Sequence, residues 1–299
     1  MRYSVLSKII ANIIKDWKEC DVCDECTMTR MAYISRRFSN FIIALYAISV
    51  FLYATGTLMK YKSNNQTDTR ELILKMELPF EIKSTSVHIV VLITQFVHQT
   101  SAASMVGVIN SLLLTSIIHI CGQIDILREW LANIFSKKMA GSMDEITMRS
   151  LIIKHQRIII FAENIENLYT YIALMMLLSD TLIICCLGFI IVTSLDTPNA
   201  AAILVKSVLF YITINLEAFI YCFSGEYLSA KSKMIGNAAY DSLWYNFPAK
   251  QSRIVLFLIV RSQKRLTITS GKIVDLSLEQ FTSVIKASLS YISVLLAMY

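Results

Sequence analysis

Long apolar blocks dominate the chain, and their length is what predicts its elements. Five stand out: Phe38 to Met59, His88 to Ile118, Leu168 to Leu195, Ile203 to Ser224 and Ser277 to Met298. Each reaches the ~20 residues that a helix needs to cross a bilayer core. In hydrocarbon every backbone N–H and C=O must be satisfied within its own segment, so blocks of this length are expected to be helical. The alternating ten-residue segments of a transmembrane barrel are not visible. The pattern therefore predicts an all-α fold, a polytopic transmembrane helix bundle with five spanning helices. A sixth apolar run, Ile254 to Val260, is too short to span; it lies between Arg253 and Arg261 and predicts a buried or interfacial helix. Near the N-terminus, Ile9, Ile10, Ile13, Ile14 and Trp17 recur at helical spacing and predict a short amphipathic helix. Lys8, Lys15, Asp16, Lys18 and Glu19 interrupt that stretch, so it does not read as a secretory signal.

Composition supports the same class. Of 299 residues, 55% are apolar and 17% charged, against about 25% charged in soluble domains. Eight Gly and three Pro leave few breaks. Charge then predicts orientation. Lys and Arg number seven before the first block, six between positions 119 and 167, and eight between 225 and 276. The alternate side carries five, all between 60 and 87. The positive-inside tendency predicts a cytoplasmic N-terminus and an extracellular C-terminus. The one N-x-S/T sequon, Asn65-Gln66-Thr67, falls in a loop predicted to be outside, which makes Asn65 a glycosylation candidate. An external C-terminus argues against a G-protein-coupled receptor, and the D-R-Y and N-P-x-x-Y signatures of that class are absent.

Candidate chemistry is sparse. Cys20, Cys23 and Cys26 form a C-x-x-C-x-x-C run, but a structural zinc site needs four ligands, usually in two pairs, so no metal is expected. The histidines are scattered and no nucleophile motif, phosphate loop or H-E-x-x-H occurs, so no catalytic residue and no cofactor is expected. Asp180, Glu217, Lys206 and Lys286 lie inside spanning blocks. Ionisable groups at membrane depth are costly and mark function by default. The two lysines suit snorkelling to an interface; the two carboxyls are expected to face the bundle interior or water, as candidates for ion passage or gating.

In the last block, Ser283, Ala287, Ser290, Val294 and Ala297 follow 4-3-4-3 spacing and form a small face, beside bulky Ile285, Leu289, Ile292 and Leu296. Such a stripe fits close helix packing, the commoner use, or a narrow pore that gates by dewetting. The second block opens with Gln95, His98, Gln99, Ser101 and Ser104. With Tyr46, Tyr53 and Tyr211 these offer polar groups to a small-molecule pocket, while the tyrosines also suit an interfacial belt.

The C-terminal quarter carries a more specific pattern. Gly225 to Pro248 reads G-E-Y-L-S-A-K-S-K-M-I-G-N-A-A-Y-D-S-L-W-Y-N-F-P, and Arg261 to Phe281 reads R-S-Q-K-R-L-T-I-T-S-G-K-I-V-D-L-S-L-E-Q-F. This resembles insect odorant receptors, where A-Y-x-x-x-W-Y is followed by R-S-Q-K-x-L, a T-x-G-K element and an L-S-L-x-x-F helix start. His119 to Leu127, H-I-C-G-Q-I-D-I-L, is similar to their second intracellular loop. The sister gustatory receptors usually end in T-Y, five apolar residues and Q-F. Here Ser290-Tyr291 is followed by I-S-V-L-L-A-M, which favours the odorant family.

The resemblance implies a seven-helix receptor of which this chain holds the last five helices. Two further helices are then expected upstream of Met1, as in a truncated gene model, an isoform or a partial sequence. It implies an odorant-gated, non-selective cation channel, a hetero-tetramer with an obligate co-receptor in the plasma membrane of an olfactory neuron dendrite. The ligand would be a small volatile or cuticular organic molecule, and no nucleic acid is involved. Residues 1–224 would form the ligand-binding bundle, 225–276 a cytoplasmic anchor, and 277–299 the pore-lining helix. Aligned by Tyr291, the gate positions are Val294, Ala297 and Met298. Odorant contacts are expected at Tyr53, Gln95, His98 and Tyr211, and subunit contacts at Tyr240, Trp244, Tyr245 and Lys272. A gustatory-type channel and a membrane transporter are the alternatives, and the lack of paired repeats and broken helices weighs against the transporter.

Overall fold

The structure, a computed structural model, describes residues 2–63, 72–73, 84–137, 145–194, 200–242 and 244–298. Asn65 lies outside the described residues. Among the described residues seven α-helices follow one another: α1 (Arg2–Lys18), α2 (Val22–Ser63), α3 (Thr85–Lys137), α4 (Glu145–Thr193), α5 (Ala200–Tyr240), α6 (Ala249–Ser262) and α7 (Leu278–Met298). Five of them, α2 to α5 and α7, are long and apolar enough to cross a membrane. The chain is a polytopic transmembrane helix bundle, as the block pattern predicts. The Ile254 to Val260 run lies in the 14-residue α6, too short to span.

Helices α2 to α5 are 41 to 53 residues long, well beyond the apolar blocks. At 1.5 Å per residue α3 is roughly 80 Å long, against a hydrocarbon core of about 30 Å. The polar stretches that flank the blocks, before them in α2 and α4 and after them in α3 and α5, continue the helix rather than looping, because nothing in them ends it: glycine and proline are rare there.

The chain folds into two compact units. The first holds Met1–Phe38, Leu112–Leu178 and Ala218–Ser283. Its centre is the second part of α3, where Leu113, Ile117, Ile120, Cys121, Ile124, Leu127 and Leu131 form one buried stripe and Ile118, His119, Gln123 and Ile126 are buried on the other sides of the helix. Leu151, Ile158, Ile165 and Tyr169 of α4 and Ala218, Tyr221, Leu228 and Ala239 of α5 complete this core. The second unit holds Ser39–Ser111, Ser179–Glu217 and Val284–Tyr299. It exposes Phe41, Ile48, Phe51, Val90, Ile93, Val97, Met105, Leu182 and Val205. A surface this apolar belongs in lipid.

One feature departs from all-helical structure. Thr269–Ser270 and Val274–Asp275 pair as a two-stranded antiparallel ladder, β1 and β2. At its tip Gly271 and Lys272 both have positive φ, 63° and 61°, which glycine adopts without a Cβ penalty. The Gly271 N–H donates to the Thr170 carbonyl at 2.8 Å, and the Lys272 N–H to Thr170 Oγ1 at 3.1 Å. Thr269 Oγ1 donates to Glu166 Oε1 at 3.0 Å. The T-x-G-K element is thus a hairpin pinned to α4. After it, Ser277 caps α7 by accepting from the Gln280 N–H at 3.2 Å, which explains the L-S-L-x-x-F pattern. Phe281 of that pattern sits edge-on to Phe219 at 5.6 Å, in a ring column with Phe223 and Tyr227.

Candidate functional site

Helix α7 is where the two readings of its sequence can be separated. Within the chain it buries Val284, Ser288 and Ile292, at successive i, i+4 positions. Val284 packs with Ile184 and Ile214, flanked by Ile183, Tyr211 and Ile285. Gly188 of α4 lets Ile292 approach so closely that a Cβ at Gly188 would overlap its side chain. The small stripe is a different face: Ser283, Ser290, Val294 and Ala297 are exposed and Ala287 is half-buried. Packing inside the chain is therefore not what the stripe serves. Val294 is 56% and Met298 82% exposed.

The four residues expected to meet ligand lie on α2 (Tyr53), α3 (Gln95 and His98) and α5 (Tyr211). Lys206 Nζ lies 4.8 Å above the ring of half-buried Tyr53. Tyr211 packs on the Ile184, Ile214 and Val284 cluster. Gln95 is buried, and His98, one helical turn on, is exposed. Lys206 reaches an aromatic face, where sequence suggested only snorkelling; Lys286 is exposed.

Asp180 and Glu217 are both buried, at 3% and 4% exposure. Around Glu217 stands a closed polar triangle in the second unit. Tyr46 Oη donates to Glu217 Oε2 at 2.9 Å. Asn110 Nδ2 donates to Tyr46 Oη at 2.9 Å and to Glu217 Oε1 at 3.3 Å. Ser49 Oγ and Thr213 Oγ1 pair at 3.1 Å. Gly107, one turn from Asn110, faces the Tyr46 ring, and a Cβ there would make ordinary van der Waals contact with it at 3.4 Å.

In the first unit, α1 docks through charges. His119 Nε2 meets Asp16 Oδ2 at 2.9 Å, and the Arg157 guanidinium binds the Glu19 carboxylate. Asp24, in the first turn of α2, accepts from Lys154 Nζ and Trp130 Nε1, both at 3.1 Å. Asp16, Glu19, Asp24, Trp130, Lys154 and Arg157 line a cleft of about 410 Å³ with Met28, Gln123 and Phe161. The Arg157 guanidinium holds the Glu19 carboxyl below the usual carboxylate range. Farther along, Lys231 Nζ lies 2.7 and 2.6 Å from the two Asp125 oxygens. No group of three or more potential metal ligands occurs among the described residues.

The same unit presents an apolar surface beyond α5. Tyr240 and Tyr245 are 66% and 65% exposed, and Phe257, Val260 and Ile273 are exposed as well. Trp244 opens a 3-10 turn, Trp244–Asn246, held by Ser252 Oγ donating to the Trp244 and Phe247 carbonyls at 2.9 Å. Lys272 is exposed at the hairpin tip.

The sequence had marked Tyr46, Asp180 and Glu217 but not Asn110, nor the Asp24, Lys154 and Trp130 group. An amide inside an apolar block was the available signal for Asn110. The second group joins residues about 106 and 130 positions apart, which no local pattern connects.

With this geometry in view, comparison with known proteins is informative. The family model described as 7tm odorant receptor matches residues 6–289. Odorant receptor 13a of Drosophila melanogaster is 27% identical over 197 residues, 61% of this chain and 47% of its own length. Odorant receptor 10 of Aedes albopictus is 31% identical over 155 residues, 52% of this chain and 40% of its own. The chain thus spans less than half the length of these curated relatives. Among solved structures, the insect olfactory receptor OR5 from Machilis hrabei in complex with eugenol superposes with a TM-score of 0.79 at 16% identity. That match covers 98% of this chain and 75% of the receptor.

Proposed function

The chain belongs to the 7tm odorant receptor family, and from that premise we propose that it acts in smell detection as a subunit of an odorant-gated, non-selective cation channel assembled with a co-receptor. The observation that carries the reading is the exposed small face of α7. A helix that packs by Val284, Ser288 and Ile292 leaves Val294 and Ala297 turned away from its own chain. Around a symmetry axis, such faces from several subunits line a narrow passage, and a few apolar side chains there gate by dewetting. Val294, Ala297 and Met298 are the gate residues in this proposal.

Assembly needs a contact surface, and exposed Tyr240 and Tyr245, with Trp244 beside them, supply aromatic anchors of the kind enriched in interfaces, while Lys272 at the hairpin tip adds a charged contact. Residues 225–276 act as the cytoplasmic anchor, 1–224 as the ligand-binding bundle and 277–299 as the pore helix. The charge asymmetry supports a cytoplasmic N-terminus and external C-terminus, in the plasma membrane of an olfactory neuron. The ligand is a small organic molecule, a reading supported by the eugenol complex of the Machilis receptor. Tyr53, Gln95, His98 and Tyr211 are its proposed contacts, and Asn65 the proposed glycosylation site.

The test is co-expression with the co-receptor and a broad panel of volatile and cuticular compounds. Odorant-evoked cation current that requires both chains is the expected result. Surface delivery of both chains with no evoked current across the panel would count against the channel reading.

A further inference from the structure

The side that α7 turns away from its own chain carries a charge as well as small residues. With about 100° of rotation per residue, Val284, Ser288 and Ile292 fall on one side of the helix. The positions centred opposite them are Ser283, Lys286, Ser290, Ser293 and Ala297, and all five are exposed. Larger side chains border this lane, Leu289 and Leu296 on one edge and Val294 and Tyr291 on the other. The serine hydroxyls are satisfied within the helix: Ser283, Ser290 and Ser293 each donate to the carbonyl four residues back at 3.0 Å. Lys286 has no such recourse, because an ammonium carries three donors and its own helix offers it no carboxylate nearby. Glu279, the acidic residue in the first turn of α7, is seven residues back, about 10 Å along the axis. Lys286 itself lies about 12 Å into the 21-residue helix. A charge at that depth is costly unless it meets water or a counter-charge. A lysine snorkelling through lipid would have apolar neighbours on its face, whereas Lys286 has Ser283 and Ser290 one turn to either side.

We propose that Lys286 stands on the wall of the ion pathway and sets how strongly this subunit disfavours divalent cations; the inference rests on the proposal that this face of α7 lines a cation channel. Charged side chains along a pore bias which ions pass it. A unit positive charge ~6 Å from the ion path, in a water-like dielectric, depletes a monovalent cation about threefold and a divalent one about tenfold. The calcium-to-sodium permeability ratio is then about threefold lower than it would be without Lys286. The lysine precedes the proposed gate residue Val294 by eight positions, about 12 Å. It therefore acts on ions on their way to or from the gate and not on the gate itself.

The parent chain, Lys286→Gln, Lys286→Arg and Lys286→Cys are each co-expressed with the co-receptor. Reversal potentials of odorant-evoked current are read with sodium and then calcium as the external cation. The calcium-to-sodium permeability ratio should rise about threefold in Lys286→Gln and stay at the parent value in Lys286→Arg. Lys286→Cys should match Lys286→Gln, return towards the parent after a positively charged thiol reagent, and move the other way after a negatively charged one. A merely structural role would not follow the sign of the reagent. Should Lys286→Gln not reach the surface, Lys286→Cys and the two reagents decide. An unchanged ratio in Lys286→Gln, or a Lys286→Cys ratio indifferent to both reagents, overturns the proposal and leaves Lys286 as a lipid-facing side chain. The channel reading survives that result if Val294→Cys still responds to a thiol reagent. Surface-delivered parent chains without any evoked current remove the channel reading and this inference together.

Discussion

Tyr46, Asn110 and Glu217 form three mutual hydrogen bonds, so each substitution leaves a buried group short. Removing one partner from a buried hydrogen bond costs about 1–3 kcal/mol. Tyr46→Phe and Asn110→Ala should each destabilise the chain by that amount in reversible unfolding from mixed micelles. The double variant should cost less than the sum by more than ~0.5 kcal/mol, because both act on Glu217. Strict additivity would mean that the triangle is three independent contacts. Glu19 makes a pH prediction. Its carboxyl is held below the ordinary 4.5 by Arg157, so the pair's contribution is complete above that value and fades as pH falls below it. Amide exchange in α1 should therefore quicken below about pH 4.5, and in Glu19→Gln it should already be quick at neutral pH. At this scale Asp180 and Glu217 were legible in the sequence, since a charge in an apolar block is conspicuous. Asn110 was not, because a lone amide acquires meaning only from Tyr46 and Glu217, 64 and 107 positions away.

At the level of elements, α7 shows what periodicity can and cannot specify. Spacing identified a small face and a bulky face, but the set the chain itself buries, Val284, Ser288 and Ile292, coincides with neither, and Leu289 and Leu296 of the bulky face stay exposed. Gly188 of α4 fixes where that set docks by admitting Ile292. A Gly188→Val substitution places branched carbon where Ile292 lies, and overpacking of this kind costs about 1–3 kcal/mol. Its Tm should fall, and Ile292→Ala in the same chain should restore part of the loss; a Gly188→Val chain as stable as the original would show that α4 and α7 do not meet there. Five spanning helices were readable because backbone satisfaction in lipid leaves helix as the one option for a long apolar block. Their full extent was not, since the polar continuations carry no stop signal. The β hairpin was visible only as a T-x-G-K motif, whose reason is the positive φ at Gly271 and Lys272 and the backbone contact with Thr170.

For the whole molecule, family membership rests on a match over residues 6–289 and the fold on a superposition covering 98% of the chain. The proposed orientation rests on charge alone and has a simple check. A tag placed after Met298 should bind antibody on intact cells, whereas one before α1 should need permeabilisation; the reverse pattern would refute the charge reading. The central claim is that the exposed face of α7 lines a cation pathway. Cysteine is introduced singly at Val294, Ala297 and Ser288, each chain is co-expressed with the co-receptor, and odorant-evoked current is recorded before and after a charged thiol reagent. The account predicts altered current at Val294→Cys and Ala297→Cys and none at buried Ser288→Cys or in the parent chain. Modification at Ser288→Cys with Val294→Cys and Ala297→Cys unaffected would contradict it.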